Sequence, residues 1–206
     1  MRRIIKDAAP AFWSNYCKKH SRAVYADLDK TARGKEIRSF IREYMLNEQK
    51  WVCCYCCKRI EIIDAHNEHI KPQTKFPNYT MDYNNLIVSC NDINTCGIKK
   101  DSEYDAMFVT PLEEDCEVHF RYLPNGVMEG LDERGEYTVK LLNLNSHRLV
   151  ESRKAIYEAC MLIAQTEDGK DLIYNSYIKE ADGKLPDYAN MVEYFMKRGA
   201  FEYITR

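Results

Sequence analysis

Cysteine clustering constrains this chain more than any other feature of its sequence. Of its nine cysteines, four lie between positions 53 and 57, and a further pair, Cys90 and Cys96, follows after a long interval. An odd number of cysteines, most of them crowded in this way, argues against the disulfide framework of a secreted domain. The pattern favours a metal site instead.

Two of the cysteine pairs have the spacing of a structural zinc site. Cys53 and Cys56 form a C-x-x-C pair, and Cys90 and Cys96 provide a second pair with a longer interval. Four soft thiolates suit tetrahedral Zn²⁺ and leave no open coordination position for chemistry. We therefore expect this zinc ion to hold loops together and not to catalyse.

Other interpretations of the cysteines remain open at this point. The register is ambiguous, because Cys54 and Cys57 also form a C-x-x-C pair. The clustered thiols could also be buried and free, or the first pair could be a redox dithiol. Cys116 and Cys160 stand apart from the cluster, and we expect them to be small apolar residues of the core.

A carboxylate stands directly before a histidine in the segment between the two cysteine pairs. The carboxylate of Glu68 is a hard oxygen ligand that suits Mg²⁺ or a similar cation. The imidazole of His69 can take a proton from water at neutral pH. Together they predict a site for metal-assisted phosphoryl chemistry. On a strand, His66 would share a face with Glu68 and would either support the site or lie on the surface.

Sequence patterns in the first half of the chain separate a helical segment from an irregular one. Residues 1–50 are predicted to be helical, and Pro10 is expected at or just before a helix start. Residues 51–101 collect Cys, His and Asn together with turn signals at Pro72 and Pro77. The irregular segment is therefore where we expect the functional site.

The second half of the chain alternates strand and helix patterns. Residues 106–140 are predicted to form short strands, with a turn at Pro124–Gly126. Residues 141–166 are predicted to be helical, with Ser146 as the N-cap. The tail is expected to add one or two helices, one of them around Tyr188–Lys197.

Composition excludes several classes of protein. The chain has 206 residues, of which 45% are hydrophobic and 30% are charged, so it is neither a disordered tail protein nor a collagen-like repeat. No apolar run approaches the roughly 18 residues of a membrane helix, and no signal peptide is evident. We therefore expect a cytoplasmic protein with no membrane contact.

Charge is distributed unevenly along the chain. Residues 1–60 carry 14 Lys and Arg against 6 Asp and Glu, a net charge of +8, although the whole chain has a net charge of -2. Residues 61–105 and 106–206 have net charges of -4 and -6. The positive segment could face a phosphate backbone, or it could be an ordinary solvated helix surface.

The motifs of the irregular segment resemble a known nuclease core. The sequences CCYC, NEHIKP, YNNLIVSC and CGIKK resemble the HNH (ββα-metal) endonuclease core with its structural zinc knuckles. The flanking sequences LNEQKWVCCYC, TMDYNNLIVSC, LLNLNSHRLVESR and EDCEVHFRY are similar to PtuB-type HNH nucleases of Septu and retron-associated anti-phage systems. This resemblance covers most of residues 35–160.

The resemblance implies an α+β fold with a defined organisation. A ββα-metal core with structural zinc knuckles would occupy residues 50–103. Helices of residues 1–49 would precede it. Residues 104–206 would form a short β insertion followed by a helical segment packed on the core, so that the chain is one compact unit.

The resemblance also implies roles for individual residues. His69 corresponds to the general base, and Glu68 to the acidic metal ligand before it. Asn85 corresponds to the middle asparagine, which supports the loop and orients the base. Lys100 and Lys71 are the residues expected to contact nucleic acid, because lysines commonly bind phosphate.

One position departs from the pattern of the family. Many zinc-bearing members have Asn or His directly after the last cysteine as a further metal ligand, whereas this chain has Gly97, which has no side chain. Asn91, Asp92 and Asn94 lie in the lengthened loop before it and are candidate substitutes. Asn91 and Asn94 are the first choices for the catalytic metal.

These features predict a metal-dependent endonuclease that hydrolyses phosphodiester bonds. The expected cofactors are structural Zn²⁺ and catalytic Mg²⁺ or Mn²⁺. The expected partners are DNA or tRNA and, by the resemblance, a PtuA-type ABC ATPase in an anti-phage defence system. Two other functions stay open: a catalytically inactive zinc-knuckle module that binds nucleic acid or protein, and a thiol redox protein.

Overall fold

The structure, a computed structural model, describes residues 1–202. Within these residues the architecture is α+β, with helices and two small antiparallel sheets. This agrees with the fold class that the sequence predicts. Residues 203–206, the end of the predicted C-terminal segment, lie outside the described residues.

The N-terminal segment is helical only in part. Helix α1 (Ala11–Lys19) begins directly after Pro10, as predicted, and helix α2 (Ala32–Glu48) follows it. The prediction of helix was wrong for the first ten residues, which are not helical. Instead, the backbone N–H of Ile4 donates to the carbonyl of Pro111 at 2.7 Å, which ties the N-terminus to a distant loop.

Helix α2 starts at a side-chain cap and buries one stripe of its surface. The Thr31 hydroxyl accepts the N–H of Gly34 at 2.9 Å, which satisfies one of the otherwise unpaired groups at a helix start. Ile37, Ile41 and Met45 are spaced by four residues and are buried. This stripe packs the helix against the central strands.

Two antiparallel strands and a short helix form the centre of the fold. Strand β1 (Ala65–His69) pairs with strand β2 (Leu86–Cys90), and the ends of the two strands coincide. Helix α3 (Cys96–Lys100) follows β2 and packs against it. Cys90 is therefore the last residue of β2, and Cys96 is the first residue of α3.

Strand β1 is polar in sequence but buried in the structure. Asn67, Glu68 and His69 are only 8%, 7% and 6% exposed. A buried polar group costs free energy unless it has a partner, so this strand depends on specific contacts. Side chains alternate along a strand, so His66 and Glu68 face α3 while Asn67 and His69 face the N-terminal helices.

The C-terminal half adds a β-hairpin and four helices. The hairpin turn includes Gly126, whose φ of 84° lies in the left-handed region that glycine tolerates best. This is the turn predicted at Pro124–Gly126, and the last helix is the one predicted around Tyr188–Lys197. The elements are β3 (Phe120–Tyr122), β4 (Met128–Gly130), α4 (Glu133–Leu141), α5 (His147–Ile163), α6 (Gly169–Tyr177) and α7 (Ala189–Met196).

Two local predictions in this half need correction. The segment predicted as strands ends earlier than expected, because Asp132 caps helix α4 by accepting the N–H of Gly135 at 2.8 Å. Ser146 does precede helix α5, but its buried hydroxyl has no hydrogen-bond partner and does not cap the helix.

Apolar side chains from all parts of the described chain form one core. Cys116 and Cys160 are fully buried in it, as predicted. No helix within residues 1–202 combines the length and the apolar character needed to cross a bilayer. Core side chains come from segments distant in sequence, among them Trp13, Tyr55, Leu86, Leu144, Phe195 and Phe201.

A buried arginine joins helix α5 to two loops of the C-terminal half. Arg153 is 0% exposed. Its guanidinium donates to the carbonyl of Gly126 at 2.7 Å and to the carbonyl of Leu144 at 2.6 Å. Burial lowers the pKa of Arg153, although such a group stays charged at neutral pH.

Replacing this arginine is expected to destabilise the fold. Arg153→Met should lower the free energy of unfolding by about 3 kcal/mol, because two buried carbonyls lose charged donors. Arg148→Met, on the same helix but with a side chain that is 69% exposed, should change it by less than about 0.5 kcal/mol. Urea unfolding measures both values, and equal stability of the two variants would contradict the expectation.

Candidate metal and catalytic site

Four of the clustered cysteines converge in the structure. The sulfurs of Cys53, Cys56, Cys90 and Cys96 all lie within 4.8 Å of one another, and all four residues are buried. In a tetrahedral zinc site with Zn–S bonds of about 2.3 Å, the sulfurs lie roughly 3.8 Å apart. The arrangement therefore fits a zinc ion with little movement. It selects Cys53 and Cys56 as the first pair.

The local backbone explains this choice of register. Val52 and Arg59 form a bridge that closes a tight turn over the first pair. Within it the N–H of Cys57 donates to the carbonyl of Cys53 at 3.0 Å. The N–H of Cys90 donates to Sγ of Cys53 at 3.4 Å, so backbone as well as sulfur holds the cluster together.

Cys53, Cys56 and Cys96 have strongly shifted pKa values. Burial raises the pKa of Cys96 well above its ordinary value. Burial acts the same way on Cys53, but hydrogen bonds from the neighbouring thiols outweigh it and hold its pKa well below the ordinary value. Four ionised thiolates this close would repel one another, so a cation among them is needed for full ionisation.

Two polar residues that the sequence does not single out brace this cluster. The side chain of Gln49 donates to the carbonyls of Val52 and Val88 and accepts the N–H of Val88 at 2.7 Å. The hydroxyl of Ser89 accepts the N–H of Gly97 at 3.0 Å, which joins β2 to the start of α3. No local sequence signal marks Gln49 in this role, because its partner Val88 lies 39 residues away along the chain.

The carboxylate of Glu68 lies between three polar groups. Its Oε1 accepts from Lys100 Nζ at 2.9 Å and from the hydroxyl of Tyr55 at 3.2 Å. Its Oε2 lies 3.4 Å from Nε2 of His66. Burial acts to raise the pKa of Glu68, but His66 and Lys100 together hold it below its ordinary value. The group is therefore ionised at neutral pH.

The imidazole of His69 is held by a backbone carbonyl. Its Nε2 lies 3.0 Å from the carbonyl oxygen of Thr80, which can only accept, so Nε2 carries the proton. Tyr25 packs its ring against the imidazole, edge to face, with 4.7 Å between the ring centres. Burial lowers the pKa of His69, so the ring is neutral at pH 7 and Nδ1 has a free lone pair.

Asn85 fixes the loop that provides this carbonyl. Its side-chain oxygen accepts the N–H of Lys71 at 2.8 Å, and its amide donates to the carbonyls of Lys71 and Tyr79 at 3.0 Å. Tyr79 directly precedes Thr80. The buried amide thus holds both ends of the loop between the strands and, with them, the partner of His69.

The candidates for a second metal ligand lie in different places. Oδ1 of Asn91 lies 3.1 Å from Nδ1 of His66, so Asn91 adjoins the site through that histidine. Asn94 is exposed, and its carbonyl accepts from Asn143; none of its described contacts reaches Glu68. Asp92 pairs with Arg148 at 3.6 Å and accepts the N–H of Asn94.

The two lysines predicted to contact nucleic acid differ in exposure. Lys100 is 0% exposed, and its ammonium binds Glu68 and the carbonyl of His69. This corrects the sequence interpretation, because a buried ammonium in an ion pair is not presented to a phosphate. Lys71 is partly exposed, and its Nζ lies 4.3 Å from the centre of the Tyr79 ring.

Basic residues of helix α2 adjoin strand β1. Nε of Arg42 donates to the side-chain oxygen of Asn67 at 2.9 Å. Arg38, one turn earlier, lies over the ring of Tyr25, whose other neighbour is His69. Part of the positive charge of the N-terminal segment therefore lies beside the buried histidine and not on a distant surface.

Comparison with known proteins points to one class of enzyme. No protein-family model matches the chain. Over 163 residues, which are 72% of this chain and 78% of the other, it is 28% identical to a protein of Vibrio cholerae serotype O1 biovar El Tor named "Retron Vc95 putative HNH endonuclease". This similarity, together with the buried cysteine cluster, supports an HNH-type endonuclease.

Proposed function

We propose that this protein is a metal-dependent endonuclease that hydrolyses phosphodiester bonds of nucleic acid. The observation that carries the proposal is the tautomer of His69. Because Nε2 donates to the carbonyl of Thr80, Nδ1 is left as a basic lone pair that can accept a proton from water. The residue before His69 in strand β1, Glu68, is a buried, ionised carboxylate. Activation of water near a divalent cation needs both a neutral base and an anionic metal ligand.

Each residue of the site has a distinct task in this proposal. A divalent cation, Mg²⁺ or Mn²⁺, would supply positive charge to the phosphate and the leaving oxygen. Glu68 offers Oε2 to that cation, since Lys100 and Tyr55 bind Oε1. His69 takes the proton of the attacking water at Nδ1. Asn85 keeps the carbonyl of Thr80 in place, so that the imidazole cannot turn.

The order of elements supports a ββα-metal assignment for the core. Strands β1 and β2 and helix α3 carry Glu68, His69 and the second cysteine pair in the order expected from the resemblance. We extend the proposal to a PtuB-type nuclease of a retron-associated or Septu anti-phage system. On this basis it acts in the cytoplasm together with a PtuA-type ABC ATPase.

The charge distribution suggests which part of the chain the nucleic acid substrate would approach. The net negative charge of residues 61–206 repels nucleic acid, so DNA or tRNA would approach over the positive N-terminal segment. Arg38 and Arg42 extend that segment to the site, and Lys71 lies on the loop beyond it. An ATPase partner would then deliver the nucleic acid to a nuclease that is quiet when alone.

The first test removes the base. His69→Ala should lower the rate of plasmid or tRNA cleavage in Mg²⁺ or Mn²⁺ by about a hundredfold or more, because it removes the proposed acceptor of the water proton. His20→Ala, which changes an exposed histidine of the N-terminal segment, should cleave at the wild-type rate. Gel assays with purified protein, alone and with the ATPase partner, measure both rates.

The outcomes of this test separate the candidate functions. Unchanged cutting by a His69→Ala protein that retains its zinc would exclude His69 as the base. A wild-type protein that binds nucleic acid but never cuts it would favour the inactive binding module. Stoichiometric zinc in the purified protein would count against a thiol redox function.

The second test concerns the loop that holds the base. Asn85→Asp should reduce the cleavage rate at least about tenfold and the free energy of unfolding by about 2 kcal/mol, because the carbonyls of Lys71 and Tyr79 lose the donor on a buried side chain. Asn84→Asp makes the same chemical change at an exposed neighbour and should alter neither value. Cleavage assays and urea unfolding of the two variants provide the comparison.

The third test concerns the cysteine cluster. Cys56→Ala should lose the bound zinc and melt well below the wild type, because three thiolates hold zinc far less tightly than four. Cys57→Ala, a neighbouring buried cysteine outside the cluster, should keep one zinc ion per chain. Metal analysis and thermal melting measure both effects. Equal zinc content in the two variants would exclude the assigned register.

A further inference from the structure

The space above Gly97 is already filled by two other side chains. A Cβ atom at this position would lie 2.7 Å from Oε2 of Glu68 and 2.8 Å from Nε2 of His66. Cβ atoms in proteins essentially never approach another heavy atom this closely. No side chain can therefore be added here without moving Glu68 or His66. The glycine therefore makes room for His66 beside the carboxylate.

The orientation of His66 is fixed by a neighbour. Its Nδ1 lies 3.1 Å from the side-chain oxygen of Asn91, which accepts a proton, while the amide nitrogen of Asn91 donates to the carbonyl of Ile63 at 3.3 Å. Nδ1 therefore carries the hydrogen, and Nε2 has the free lone pair in the neutral ring. Histidine ligands of metals are commonly held in this way by a second acceptor.

When the His66 ring is neutral, as a metal ligand must be, two acceptors face each other across a short gap. Nε2 of His66 and Oε2 of Glu68 are 3.4 Å apart. Ligands of one cation at bond lengths of about 2.1 Å are roughly 3.0 Å apart in an octahedral cis pair and roughly 3.4 Å apart in a tetrahedral pair. The gap has the width that a single divalent cation would span.

We propose that His66 and Glu68 are the protein ligands of the divalent cation, with His66 replacing the side chain that Gly97 lacks. The inference rests on the proposed function, because it names the ligands of that same site. It assigns a metal-binding role to a residue of strand β1 in place of one on helix α3. Water molecules and substrate oxygens would complete the coordination.

The ligand types also set a preference among metals. Imidazole nitrogen suits Mn²⁺ and other transition metals better than it suits Mg²⁺, which favours oxygen ligands. A site with one nitrogen and one carboxylate oxygen should therefore bind Mn²⁺ more tightly than Mg²⁺. A pair of oxygens from Glu68 and an asparagine would show a weaker preference.

The test is a Mn²⁺ titration of the zinc-loaded full-length protein, with free Mn²⁺ measured by electron paramagnetic resonance. The wild type should bind one Mn²⁺ per chain. His66→Ala should weaken this binding about tenfold or more while keeping its zinc. His20→Ala, a change of the same type at an exposed position that contacts neither proposed ligand, should bind Mn²⁺ as the wild type does.

A second variant changes a residue of helix α3 that lies against the same site. Gly97→Ala suits a helix better than glycine does, but its Cβ would displace both proposed ligands. It should lose Mn²⁺ binding and keep zinc. Zinc content and circular dichroism report whether each variant is folded.

The results distinguish this inference from the proposed function. Wild-type affinity for Mn²⁺ in His66→Ala would overturn the assignment of His66 and leave the proposed function standing. No Mn²⁺ bound by the wild type would contradict both. Binding of Mn²⁺ that depends on His66, in a protein that never cuts nucleic acid, would support the ligands and overturn the nuclease.

Discussion

A buried ion pair between helix α3 and strand β1 underlies the rest of the site. The ammonium of Lys100 binds Oε1 of Glu68 and also the carbonyl of His69, so one charged group holds two consecutive residues of the strand. Neither charge of such a pair could stay buried without the other. The pair therefore fixes the distance between α3 and β1, and it leaves the second carboxylate oxygen directed toward His66.

Much of the candidate site could be predicted because its residues are close in sequence. The carboxylate and the histidine are adjacent, and the cysteines occur in short-range pairs, so spacing alone indicates the chemistry. The choice between the two C-x-x-C registers could not be made in this way. It depends on the bridge between Val52 and Arg59, which turns Cys53 and Cys56 toward the second pair.

Contacts between distant segments account for what the sequence did not predict. Burial of Lys100 arises only when helix α3 packs beside strand β1, and the pairing of His69 with the Thr80 carbonyl arises only when the loop between the strands has folded. Helix α4 was missed for a related reason: β-branched and aromatic residues in this segment suggest strands, while the side chain of Asp132 starts a helix. Local residue propensity predicts secondary structure poorly where a helix cap or a tertiary contact determines it.

The polar character of strand β1 has a consequence for how this protein can evolve. The hydrophobic effect does not favour burial of the polar side chains of Asn67, Glu68 and His69. Each of them is stabilised by a partner from another segment. A substitution at any of them removes a functional group and also leaves its partner unsatisfied. Substitutions in this strand are therefore disfavoured for two reasons, loss of activity and loss of stability. Selection for a stable fold alone would retain these side chains even in a protein that no longer needed the chemistry.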